Sequence, residues 1–321
     1  MSHLIDIYKY RSGTTRDIEA LMNSQFYASS MENLNDVHEG KIIVDNQEIE
    51  LFDLLVKNSA STFDISIKKD LNNLMQIYKN SGVYSLSKDY KNELLWAYYA
   101  DSHKGFCIEY DFDILKQYPC NEDNFFDVKY SKNVPIINLG SIFDISISKK
   151  SLVTKSLSWK HEDEIRILTP FQGIFTYFTR AVKSIYFGYR TDKNTIESIM
   201  EKLKGRGIKY YQMDHEKDLY ALEKIEIEDI FKDESIYKNK VNKFVPYLLE
   251  DEKPYEDLIK KAIVIVEQEP LCEKVIDVSK SSTKGTKDNP VFFISYENKI
   301  KNLPTPNYFI SKKEIEEIFK N

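Results

Sequence analysis

"SWKHEDEIRIL", residues 158–168, decides how the middle of this chain is read. Taken as one strand, it puts Glu162, Glu164 and Arg166 on one face and Asp163, Ile165 and Ile167 on the other. Two carboxylates and a guanidinium in a row are costly to bury and unnecessary at a surface. The stretch is either a solvated edge with cross-strand charge pairs or the floor of a site. Trp159, just before the charged face, favours the floor.

Working outward, "DEIRILT" (163–169) reads as a strand and "KSLVTKSLSW" (150–159) carries helical spacing. "AVKSIYFGYR" (181–190) is a strand, and "NTIESIMEKLKGRG" (194–207) is the clearest helix, closed by Gly205. "IKYYQMD" (208–214) and "LYALEKIEIED" (219–229) follow as strands. Upstream, "LIDIYKYR" (4–11) is a strand, with Thr14 or Thr15 capping a short helix and "FYAS" as the next strand. "MENLNDVHEG" (31–40) is a structured loop, and residues 48–80 have helical spacing. "GVYSLS" (82–87), "FCIEYD" (106–111) and "DVKYS" (127–131) are strands; "DYKNELLWAYYADSHKG" (89–105) is a helix stopped at Gly105.

The expected class is α+β: a mixed or antiparallel β core with flanking helices, strands outnumbering helices. Residues 1–232 form the expected core domain. Composition turns polar and Lys-rich after about 232, so 233–321 is read as an appended segment, with three roles open: a partner-binding appendage, a dimer contact or a second half of the core. In it, 256–269 is a helix, 279–289 a flexible loop, 289–299 a strand and 311–321 a helix with a Ser311/Glu314 capping box.

The hydrophobic fraction of 42% supports a core, and a net charge of −6 argues against a broadly basic nucleic-acid surface. Cys107, Cys120 and Cys272 are three in number, far apart and without a CxxC pair, which argues against a disulfide framework or a zinc site. No apolar run reaches the about 18 residues of a membrane span. "MSHLIDIYKYR" lacks a signal-peptide pattern, and a reducing cytoplasm is the expected compartment.

Polar residues concentrate at four places. Arg11 ends the first strand. Ser85 and Ser87 share a strand face beside Tyr84. "WAYYADSHKGF" offers Trp96, Asp101 and His103. The fourth is the Glu162, Glu164, Arg166 face. Each also has a structural reading: a surface ion pair for Arg11, exposed strand serines, a core Trp96, a helix-end His103, a solvated charged face.

These pieces resemble the bacterial domain-of-unknown-function family DUF2971. The matching stretches are "YKYR", "NLNDVHEG", "YSLS", "LLWAYYADSHKGFCIEYD", "WKHEDEIR" and "IYFGYR", in order over roughly residues 8–230. Val37 and His38 depart from the family's Pro-Phe, and Tyr99 stands near a frequent His. "NLNDVHEG" brings Asn35, Asp36 and Glu39 in as further site candidates.

The linear order also resembles mono-ADP-ribosyltransferases of the Arg-Ser-Glu type: Arg11, then Ser85 and Ser87, then Glu162 and Glu164. That resemblance implies a split-sheet core and NAD as the substrate, with a macromolecular acceptor, protein or nucleic acid, and no resident metal. Arg11 would meet the pyrophosphate with its planar fork. Ser85, Ser87 and His103 would line the cofactor site, and Tyr84, Trp96 or Tyr10 would stack on nicotinamide. Glu164 would stabilise the oxocarbenium-like ribose and Glu162 would orient the acceptor, with Arg166 keeping the pair ionised. A setting in bacterial stress or phage defence fits such an enzyme. Two other classes stay open. One is a metal-dependent nuclease or hydrolase using Asp36, Glu39, Asp101, His103, Glu162 and Glu164. The other is a non-catalytic module docking a basic partner on its acidic face.

Overall fold

Alternating apolar residues in the short runs between turns set the strands. The computed structural model describes residues 6–41, 43–44, 80–137, 145–236, 244–301 and 305–320. Its main strands are β1 (Asp6–Arg11), β2 (Gly82–Ser87), β3 (Phe106–Asp111), β4 (Phe125–Asp127), β5 (Glu164–Thr169), β6 (Val182–Phe187), β7 (Lys209–His215), β8 (Leu222–Ile227), β9 (Cys272–Gly285), β10 (Pro290–Asn298) and β11 (Asn307–Ser311). The main helices are α1 (Thr15–Met22), α2 (Glu93–Tyr99), α3 (Ile145–Leu152), α4 (Lys193–Lys202), α5 (Glu256–Glu267) and α6 (Lys312–Ile318). The expected α+β class is the observed one. The helical spacing over 48–80 lies outside the described residues, apart from Asn80.

The chain divides into two units. The first is Met1–Phe26, Tyr90–Glu122 and Thr176–Asn321; the second is Tyr27–Asp89 and Asp123–Phe175.

In the first unit five strands run in the order β8-β7-β6-β3-β1. Only β6 and β7 are parallel; the other neighbours are antiparallel. Pairing sets Tyr8 opposite Glu109, Cys107 opposite Tyr186, and Tyr186 beside Tyr211. One face thus carries Tyr8, Tyr10, Cys107 and Tyr186, covered by Leu95 and Trp96 of α2. The odd-even alternation sends Ile7, Ile108, Ile185 and Phe187 to the other face, all buried.

α2 starts where the Asn92 side chain accepts the Leu94 and Leu95 amides, at 3.0 and 3.2 Å. It ends at Ala100, after which Asp101, Ser102 and His103 all take positive φ. The chain then returns through Gly105, where a methyl group would stand 2.0 Å from the Arg11 carbonyl oxygen. Gly105→Ala is expected to cost about 2–3 kcal/mol through forced backbone displacement. Gly207, whose added methyl meets nothing within 4 Å, is the control. Gly207→Ala at φ 69 is expected to cost only about 1 kcal/mol. Urea midpoints of the two variants check this.

Residues 256–320 build a second core of the first unit. The apolar face of α5 (Ile259, Ala262, Ile263, Val266) packs with Phe292, Ile294, Tyr308 and Ile310 of the sheet β9-β10-β11. Tyr118 and Phe178 belong to the same cluster, so this segment shares its core with residues far upstream. Each fully buried apolar side chain contributes about 1.5–3 kcal/mol. Glu269 adds a buried polar tie, accepting the Thr179 amide and hydroxyl, both at 2.9 Å. Arg180 bonds Glu314 and the Phe309 carbonyl. The Ser311/Glu314 capping box forms as expected. The expected loop at 279–289 is instead largely strand: β9 runs to Gly285, which pairs with Pro290. The apolar run of β10 recruits its Ser/Thr-rich neighbour, and pairing overrides composition.

In the second unit β5 lies between β2 and β4, antiparallel to both. Its core is Met31, Val83, Leu152, Val153 and Leu168. Two expectations fail here. The helix over 150–159 ends at Leu152; Thr154–Ser156 is a strand parallel to Lys129–Ser131, and Leu157–Glu162 is a 3-10 turn. The β-branched pair Val153-Thr154 and the available strand partner break the helical period. The strand read at 163–169 is observed from Glu164, but Glu162 stands in the preceding 3-10 turn, so the three charges do not share one strand face. Asp163, at φ 41, is the left-handed turn between them.

All three cysteines are free and buried. Burial pushes the Cys120 thiol up to about 11 and the Cys272 thiol up to about 12, which leaves both unreactive at neutral pH.

Candidate functional site

The charged residues of 158–168 meet in the second unit, but not as one strand face. Glu164 and Arg166 project from β5, and Glu162 arrives from the preceding 3-10 turn. The antiparallel register sets Ser87 opposite Glu164 and Ser85 opposite Arg166. The Ser-x-Ser and Glu-x-Arg faces are therefore the same face of the β2–β5 pair.

Arg166 is fully buried and uses its whole fork. Nε donates to Glu164 Oε1 at 2.8 Å, and Nη2 reaches Glu164 Oε2 at 3.2 Å. Nη1 donates to Glu39 Oε2 at 2.9 Å and to the Leu152 carbonyl at 2.6 Å. Glu39 comes from the 31–41 loop, and its second oxygen also meets Nη2.

Lys155, absent from the sequence candidates, completes the cluster. Its Nζ lies 2.5 Å from Glu162 Oε2, 3.2 Å from Glu164 Oε2 and 3.5 Å from Glu39 Oε1. It also stands 4.9 Å from the centroid of the Trp159 ring. All five ionic side chains are at least 94% buried. Two cations thus hold three carboxylates. In sequence Lys155 is one of 45 basic residues, in a stretch with a helical period, and nothing local distinguishes it.

Burial alone would raise the Glu164 pKa. The Arg166 and Lys155 charges and hydrogen bonds from Arg166 and Ser85 outweigh it, and the carboxyl is held at about 2. The same contacts raise Arg166 and Lys155 against the opposing effect of burial. Glu164 is therefore an anion at any physiological pH. It is no proton acceptor there; it is a fixed negative charge in a low-dielectric site.

The remaining candidates fall differently. Ser87 donates to the Glu162 carbonyl at 2.8 Å and accepts the Asp89 amide at 3.1 Å, so it clips the turn in place. Tyr84 is buried on the opposite face of β2 from Ser85. Asn35 is exposed. Asp36 is buried, one oxygen accepting the His38 amide at 2.9 Å while the other has no hydrogen bond. In the first unit, Arg11 Nη1 stands 3.7 Å from Asp17. Trp96 is fully buried, donates to the Tyr90 carbonyl at 2.7 Å and meets Tyr10 edge-on. Its ring stacks with His103, whose pKa is lowered chiefly by burial.

Among the described residues no group of three or more His, Cys, Asp or Glu side chains is arranged to hold a metal ion. The oxygens of Glu39, Glu162 and Glu164 face Lys155 and Arg166 instead. No helix of the described residues is long and apolar enough to cross a membrane.

Residues 95–167 match the family model described as "Protein of unknown function (DUF2971)". The match runs from α2 into β5 and so takes in Lys155, Glu162, Glu164 and Arg166. No curated protein and no solved structure matches the chain.

Proposed function

We propose that this chain is an ADP-ribosyltransferase-like enzyme that takes NAD as substrate and transfers ADP-ribose to a protein or nucleic acid. The observation that carries the reading is the contact of Ser85 with Glu164. Two short patterns separated by more than seventy residues lie on one face of adjacent strands, and the serine hydroxyl bonds the carboxylate.

The chemistry asks for such a carboxylate. The bond from ribose C1′ to the nicotinamide nitrogen breaks, and its electron pair leaves with neutral nicotinamide. The ribose left behind carries oxocarbenium-like positive charge until the acceptor's nucleophile attacks C1′ and sheds its proton. A permanently ionised Glu164 stabilises that charge without titrating. Glu162 is the group assigned to orient the acceptor or take its proton. The role of Arg166 and Lys155 is to fix Glu164 in place and in charge. Glu164 is only 3% exposed and Lys155 lies between it and Glu162, so this reading requires Lys155 to yield its place to the bound ribose while Arg166 keeps Glu164 fixed.

The test is nicotinamide release from NAD by wild type and Glu164→Gln, with urea unfolding of both. Wild-type release that falls about 100-fold or more in a folded Glu164→Gln supports the assignment. Absence of saturable NAD binding by folded wild type at millimolar concentration overturns it. So does a folded Glu164→Gln with full activity.

A further inference from the structure

Residues 244–249, FVPYLL, are an uncharged run between flanks of opposite sign. Lys238, Lys240 and Lys243 precede it in sequence, and Glu250 and Asp251 follow. Its exposure alternates. Phe244 and Leu248 pack on the core that α5 shares with the sheet β9-β10-β11, whereas Val245, Tyr247 and Leu249 are 84%, 88% and 57% exposed. A period of two is that of extended backbone, yet the run belongs to no strand and no helix. Among the described residues, the amides and carbonyls of Val245 and Tyr247 make no hydrogen bond. The run is pinned at its end: the buried Glu252 carboxylate accepts the Leu249 amide at 2.9 Å and the Lys280 amide of β9 at 2.7 Å. In extended backbone the bonding groups of Val245 and Tyr247 point to one edge, and Pro246, which has no N–H, turns its nitrogen to the other.

We propose that 244–249 is a docking edge for a second copy of this chain, joined by antiparallel pairing about a two-fold axis through Pro246. In that register Val245 of each copy is a hydrogen-bonded partner of Tyr247 of the other, and both pairs exchange their N–H···O bonds. The two Pro246 residues meet where no N–H is required, the one setting in which a strand tolerates proline. A β-branched residue stands against an aromatic in both pairs, a favourable cross-strand match. Antiparallel self-pairing also runs the Lys-bearing end of each copy's sequence towards the acidic end of the other's, whereas parallel pairing sets like charges together. One patch pairing with itself closes at two copies. A single short edge is small beside the roughly 1,200–2,000 Å² of a stable interface, so the dimer is weak and reversible. The edge does not depend on the NAD reading.

The test is sedimentation equilibrium of full-length wild type over about 5–500 μM, which reads mass against concentration. The mass is expected to rise from that of the monomer towards twice that value. Val245→Lys combined with Tyr247→Lys, both at exposed positions, sets like charges opposite each other in both pairs and is expected to weaken association by about 100-fold or more. Pro246→Cys reads the register. Residues opposed in a non-hydrogen-bonded pair have Cα atoms about 4.5 Å apart, within reach of a disulfide, and the native cysteines are all buried. Pro246→Cys is expected to give a disulfide-linked dimer under mild oxidation. Leu249→Cys, about 20 Å from its symmetry mate in this register, is expected to give none. Wild type that stays monomeric up to about 500 μM overturns the proposal. A dimer indifferent to the double Lys substitution lies elsewhere on the chain and overturns it equally. A dimer in which Leu249→Cys cross-links and Pro246→Cys does not overturns the two-fold register.

Discussion

Arg166→Ala is expected to remove about 3–5 kcal/mol from the stability of the second unit, the largest effect of any single substitution in it. The side chain is fully buried and donates to Glu39, to Glu164 and to the Leu152 carbonyl. Its removal leaves Lys155 as the one cation among three buried carboxylates. A domain of this size holds a net stability of only about 5–15 kcal/mol, so the unit is brought near its unfolding limit. Arg166→Lys keeps the charge but loses the fork that spans Glu39 and Glu164, and is expected to recover less than half of the loss. Hydrogen exchange of peptides spanning 155–169 reads the opening of this unit directly. Protection in Arg166→Ala equal to that of wild type would show that the cluster carries no stability. Such a result would also remove the physical basis for treating Glu164 as a preset anion.

The second large effect is acid-dependent. The carboxyl of Glu164 is held at about 2 in the folded chain, against an ordinary value of 4.5. A folded-state value below the unfolded one means that the unfolded chain binds the proton more readily. The stabilisation is therefore full above about pH 4.5 and is lost as pH falls through about 2. The gap between the two values corresponds to ~3 kcal/mol. Wild type and Glu164→Gln are expected to differ most at neutral pH, and their unfolding free energies to converge between pH 4.5 and 2. Other carboxylates are also held below their ordinary value, among them Glu109 and Glu314, where cationic and hydrogen-bonding partners outweigh burial. The readout is accordingly the difference between the two proteins, not either curve alone. A difference that stays constant over this window would mean that Glu164 is not the group these cations hold ionised.

The two predictions bear on the proposed chemistry in different ways. The first tests whether the cluster is a structural unit. The second tests whether Glu164 keeps its charge under all conditions in which NAD would be turned over. A fixed anion surrounded by donors suits stabilisation of positive charge and is unsuited to general-base work. That division of labour is why Glu162, with Lys155 as its short contact at 2.5 Å, is given the acceptor side.

Much of this architecture is legible in local pattern. The strands at 6–11, 82–87, 106–111 and 164–169 show a period of two, and 193–202 and 256–267 show helical apolar spacing. The Ser311/Glu314 box states its helix start in the residues themselves, because capping is a contact three residues apart. So the sequence alone determined the α+β class, most element positions, and the nomination of Ser85, Glu162, Glu164 and Arg166. What it could not determine rests on contacts between distant residues. Lys155 enters the cluster because 154–156 pairs with 129–131, which breaks the apparent helix over 150–159. Glu39 reaches Arg166 across 127 positions. Backbone pairing with a remote strand outweighs local helical spacing, and the energy of a buried charge depends on partners that no local window contains.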